Sequence, residues 1–93
     1  MKILFHKKFQ KFIGRVKNTE LLTAIKGQVD KIIADPSAGK TLEHPFRKYR
    51  IQSVGFDWNK NSLRIAYVVS QDEIVFLLID SRENFYKKLE RVL

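Results

Sequence analysis

The stretch Leu63-Arg64-Ile65-Ala66-Tyr67-Val68-Val69-Ser70-Gln71-Asp72-Glu73-Ile74-Val75-Phe76-Leu77-Leu78-Ile79 decides the fold. Its first seven residues alternate, with Leu63, Ile65, Tyr67 and Val69 opposite Arg64, Ala66 and Val68. That is the two-residue period of a strand. Gln71-Asp72 reads as a tight turn, and the unbroken apolar run Ile74 to Ile79 is of the kind an interior strand buries on both faces. Upstream, Asn59-Lys60-Asn61-Ser62 is a turn cluster that joins a further strand by a hairpin. This strand is expected from Phe46 onward, with Tyr49, Ile51 and Ser53 on one side and Lys48, Arg50 and Gln52 on the other. Three consecutive strands make a meander.

Outward from the meander the period changes. Ser81 reads as an N-cap, and Phe85, Leu89 and Val92 form the stripe of a C-terminal helix with Tyr86 on its flank. At the other end, Ile3-Leu4-Phe5 is a short β-prone run, after which Phe9, Phe12, Ile13 and Val16 repeat at helical spacing. Asn18-Thr19 supplies an N-cap for a second helix with Leu22, Ile25, Val29, Ile32 and Ile33 as its buried stripe. Asp35-Pro36 ends it, because proline lacks an amide donor and drives the preceding residue out of the helical region. The expectation is an α+β fold over residues 1–93 as a single domain. A helical hairpin and a C-terminal helix pack on a small, mainly antiparallel four-stranded sheet in the order β-α-α-β-β-β-α.

The chain has 93 residues, 44% hydrophobic and 30% charged, which is ordinary for a globular domain and excludes wholesale disorder. It has no cysteine, so disulfides and thiolate metal sites are excluded. Eighteen Lys and Arg against ten Asp and Glu leave a formal charge of +8, and residues 1–17 contain no carboxylate. Polyanions or an acidic protein are the natural partners, nucleic acid first because each phosphate contact releases counterions. A membrane surface is the rival. The apolar run at Ile3–Phe5 is far too short for a signal segment or a spanning helix, so a cytoplasmic protein with no membrane partner is expected.

The strand alternation places Lys48, Arg50 and Arg64 on one sheet face, with Arg82 entering from the start of the last helix. Tyr49, Tyr67 and Tyr86 lie nearby in sequence, so this face has the residue types that hold a phosphodiester and stack a base. A solvated face with scattered basic residues would look the same in composition. Arg64 stands apart, because a guanidinium inside an apolar strand needs a carboxylate or an anionic ligand. His6 and His44 lack metal-ligand spacing, and His44 is a candidate general base or an ordinary loop histidine. Glu43 and Asp57 are the only carboxylates between Lys40 and Val69, which leaves little for paired-carboxylate hydrolysis. The four glycines fit neither a phosphate-binding loop nor a dinucleotide fingerprint, so no small-molecule cofactor is expected.

Together the element order and several segments resemble the RelE/ParE toxin superfamily of prokaryotic type II toxin–antitoxin modules. The resemblance spans nearly the whole chain. It is carried by Asp35-Pro36 through Gly39-Lys40 and Leu42, by Phe46-Arg47-Lys48-Tyr49-Arg50-Ile51, by Leu63-Arg64-Ile65-Ala66-Tyr67, and by Asp80-Ser81-Arg82-Glu83-Asn84-Phe85-Tyr86. The RNase branch cleaves mRNA in the ribosomal A site. Likeness to that branch implies Arg50, Arg64, Arg82 and Tyr86 as catalytic residues, and Arg47, Lys48 and His44 as RNA-binding ones. It implies no metal, because the RNA's own 2′-OH attacks the adjacent phosphate. At Gln52 the sequence departs from members that carry a second strand lysine there, leaving Tyr86, His44 and Lys48 as alternative bases. Gly55 to Asn61 is also longer, and His44-Pro45 with Asp57-Trp58 is similar to the YafQ branch. The ParE-like branch, which binds and poisons DNA gyrase, and a non-catalytic RNA-binding domain are the competing functions. Either toxin branch implies an acidic antitoxin as partner, and the RNase branch adds mRNA and the ribosome.

Overall fold

A computed structural model describes residues 1–93. Strand β1 spans Lys2–Phe5, helix α1 Lys7–Arg15, helix α2 Thr19–Ala34, strand β2 Lys40–Thr41, strands β3, β4 and β5 Gln52–Trp58, Asn61–Val69 and Glu73–Ser81, and helix α3 Arg82–Val92. The strands form one five-stranded sheet in the order β1-β5-β4-β3-β2. Only the β1–β5 pair is parallel. The α+β architecture and the meander are as expected, and the additional strand is β2.

The helix starts follow from local chemistry. Asn18 Oδ1 accepts from the Glu20 and Leu21 amides at 2.9 and 3.1 Å, which satisfies donors that the first turn of α2 leaves free. His6 does the same for α1, its Nδ1 accepting from the Lys8 amide at 3.1 Å. At α3 Ser81 is the N-cap residue as expected, but without the side-chain bond of a serine cap. Its amide instead donates to Asp80 Oδ1 at 2.7 Å.

Two cores lie on opposite sheet faces. Phe9 of α1 and Ile25, Val29 and Ile32 of α2 cover Ile65, Tyr67, Ile74, Phe76 and Ile79. On the other face Phe85 and Leu89 of α3 join Leu42, Phe46, Ile51, Ala66 and Leu78. The apolar run of β5 serves both, through a bulge: Ala66 pairs with Leu78 but Tyr67 pairs with Phe76, so Leu77 is the extra residue. The hairpin between β3 and β4 is tighter than the turn cluster implied. Only Asn59 and Lys60 are unpaired, both with positive φ (47° and 64°), as a two-residue type I′ turn requires.

The segment from Phe46 to Ile51 corrects the sequence reading. Arg47–Tyr49 is a 3-10 turn, and Arg50 sits in the left-handed region (φ 57°, ψ 34°) with its amide donating to the Arg47 carbonyl at 3.0 Å. A strand would send residues five apart to opposite faces. Phe46 and Ile51 both enter the core beneath α3, so the chain coils between them and β3 begins only at Gln52.

Tyr67 is fully buried on the face away from Arg64. Its hydroxyl donates to the Pro36 carbonyl at 2.7 Å, accepts from the Gly39 amide at 3.0 Å, and lies 3.0 Å from Gln52 Oε1. The residue therefore pins the loop after α2 to the sheet. Glycine is required at 39 because a Cβ there would collide with that hydroxyl. Burial raises the Tyr67 hydroxyl above its ordinary pKa, opposed by the Gly39 hydrogen bond and reinforced by the Asp35 charge.

Candidate functional site

Arg64 lies near the middle of β4, paired with Gly55 on one side and Asp80 on the other. Glycine leaves open space over β3, and the guanidinium lies across it, Nη1 donating to Ser53 Oγ at 3.3 Å. The single ion pair of the molecule is elsewhere, between Lys88 Nζ and Asp80 Oδ2 at 2.6 Å. Arg64 is thus half-buried and has no carboxylate partner, one of the two partners that its apolar surroundings in sequence called for.

The guanidinium opens into a cleft of about 430 Å³ whose other polar walls are Lys40, Thr41, Glu43, His44, Ser53 and Tyr86. Each arrives by a different route. Lys40 is brought by β2, whose pairing sets it beside Ser53, and therefore on the sheet face of Ser53. His44 and Glu43 come from the loop that Leu42 and Phe46 anchor in the core. Tyr86 projects from the first turns of α3, with its ring stacked on Phe46 (centroids 6.1 Å apart) and edge-on to Phe85 (5.1 Å). The phenol is held by packing while the residue stays 43% exposed, which leaves it accessible to a ligand.

Of the site residues expected from sequence, the structure brings Arg64, Tyr86 and His44 together. Arg47, Lys48, Arg50 and Arg82 do not line this cleft and are exposed. The coil at 47–50 removes Lys48 and Arg50 from the sheet face, and the Lys48 ammonium lies over the Tyr49 ring at 5.1 Å instead. Arg82, at the first position of α3, stays in solvent. Lys40 is the cation that sequence reading missed. A two-residue edge strand carries no periodicity, so only its pairing with Gln52 and Ser53 reveals where it points.

The result is a cationic cleft with a histidine and a tyrosine, on the sheet face of the meander that the C-terminal helix covers. The family model described as ParE-like toxin of type II bacterial toxin-antitoxin system matches residues 3–90. The chain belongs to this family of ParE-like toxins. No curated protein and no solved structure matches the toxin. Membership places it in the RelE/ParE superfamily and implies a protein antitoxin as its partner. None of its helices is long and apolar enough to cross a membrane.

Proposed function

We propose that the toxin is an endoribonuclease that cleaves mRNA, at the ribosomal A site, and that the Arg64 cleft is its active centre. The observation carrying this reading is the unpaired, half-buried guanidinium of Arg64 converging with Lys40, His44 and Tyr86 on one cleft. In the reaction the 2′-oxygen of the RNA bonds to the adjacent phosphorus and the bond from phosphorus to the 5′-oxygen breaks. One proton leaves the 2′-OH and one reaches the departing 5′-oxygen, giving a 2′,3′-cyclic phosphate and a 5′-OH. The nucleophile belongs to the substrate, so the protein has two tasks.

The first is electrostatic. The pentacoordinate phosphorane carries an extra negative charge, and Arg64 and Lys40 offer preorganised donors for it; such a donor is worth about 100- to 1000-fold in rate. The second is proton transfer, for which Glu43, His44 and Tyr86 are the titratable groups beside those cations, and His44 and Tyr86 are the ones assigned to it. Arg50 and Arg82, exposed and outside the cleft lining, would steer the RNA backbone rather than contact the scissile phosphate. An acidic antitoxin would silence the toxin by covering this cleft with carboxylates.

The family description favours a second reading, in which the same surface binds DNA gyrase and breaks no RNA bond. One assay separates them. Purified toxin added to ribosomes stalled on a defined mRNA should yield fragments ending in 2′,3′-cyclic phosphate. Intact mRNA together with inhibited gyrase supercoiling would move the toxin to the second reading.

A further inference from the structure

β1 pairs only with Glu73–Phe76 of β5, so from Leu77 onward the outer edge of β5 has no strand beside it. There α1 and α3 face each other across Leu78, Ile79 and Asp80, enclosing a cleft of about 160 Å³. This cleft shares no residue with the Arg64 cleft. Lys8, Lys11 and Arg15 line it from α1, at spacings of three and four that form one stripe of a helix, and Lys88 and Arg91 line it from α3. Its only carboxylate, Asp80, is already engaged with Lys88 and the Ser81 amide. Four converging cations therefore have no ion pair.

We propose that this cleft is a second site of the toxin, which takes the phosphodiester backbone of a single-stranded nucleic acid. At about 1.5 Å rise per residue, Lys8 and Arg15 stand about 10 Å apart along α1, a span for successive phosphates rather than for one ion. Arg15 and Arg91 carry the planar donor fork that matches phosphate oxygens. The apolar lining is confined to Phe12, Leu78 and Ile79, too little to anchor a protein helix or strand. The site stands whether or not the Arg64 cleft cuts RNA.

The test uses fluorescent dT12, which lacks the 2′-OH and survives any such cleavage, with affinity measured by anisotropy over a salt series. Lys11→Gln/Arg15→Gln should weaken binding about tenfold or more and lower the salt slope by about 1.4, since each single-strand phosphate contact contributes about 0.7. Lys26→Gln/Lys31→Gln removes the same charge from exposed positions of α2 and should keep the wild-type slope. Equal losses in both variants would reduce the effect to net charge and overturn the proposal. Amide shifts in the wild-type protein give a readout independent of variants. dT12 should move Leu78–Asp80 and Arg91, and shifts confined to Ser53, Arg64 and Tyr86 would overturn it. Binding of poly-L-glutamate but not dT12 at this cleft would make it an acidic-protein interface and likewise overturn it.

Discussion

Arg64 and Asp80 are direct partners in the β4–β5 ladder, yet they form no ion pair. Asp80 is drawn to the α3 side, where Lys88 Nζ approaches its Oδ2 to 2.6 Å and the Ser81 amide occupies Oδ1. Arg64 turns the other way, over Gly55 to Ser53. One carboxylate thus fastens α3 to the sheet while the arginine opposite it is left free for an anion.

Asp80→Asn keeps the shape and removes the charge. The variant should lose about 1–2 kcal/mol in urea unfolding, at the low end for a charged hydrogen bond because Lys88 is 40% exposed. Lys88→Met should lose at least as much, because it leaves the buried Asp80 carboxylate without its cation. Wild-type stability in Asp80→Asn would show that the Ser81 amide and the packing of α3 hold the helix alone.

Tyr67→Phe removes the hydroxyl that satisfies the Gly39 amide and the Pro36 carbonyl, at a cost of about 1–3 kcal/mol at pH 7. The pH dependence has a definite sign. Burial raises the folded pKa above that of free tyrosine, so the contribution of Tyr67 is complete below pH about 10 and is lost as pH rises through the folded value. The gap in melting temperature between wild type and Tyr67→Phe should therefore narrow above pH about 10. A gap that stays constant from pH 7 to 11 would contradict this.

Tyr86→Phe keeps the ring stacked on Phe46 and deletes the hydroxyl. As a proton-transfer residue, Tyr86 should cost about 100-fold in kcat when so changed, with KM little moved. His44→Gln should show a comparable split. Full activity in Tyr86→Phe with loss in Tyr86→Ala would assign the residue to base stacking and leave proton transfer to His44.

Most of the fold was legible because it is periodic: both N-terminal helices, the meander and α3 follow directly from apolar spacing. Arg64 was legible for the same reason, as a charge in an apolar strand, whereas Tyr67, read from sequence as a stacking residue near the basic face, is buried in the opposite core. The failure at 46–51 has a physical source. Lys48, Arg50 and Gln52 alternate with Tyr49, Ile51 and Ser53 as a strand would, but the core demands Phe46 and Ile51 on one side, which only a coiled segment provides. Lys40 and the α1–α3 cleft depend on strand order and on which elements meet, and neither leaves a local pattern.

The central claim is that Arg64 serves an anionic ligand and not the fold. It is tested most directly by inducing wild type and Arg64→Ala at equal protein level and mapping mRNA 5′ ends. The account predicts growth arrest with new cuts at fixed positions within codons for wild type, and neither for a folded Arg64→Ala. Growth arrest and cleavage persisting in Arg64→Ala, or arrest by wild type with mRNA intact, would contradict it.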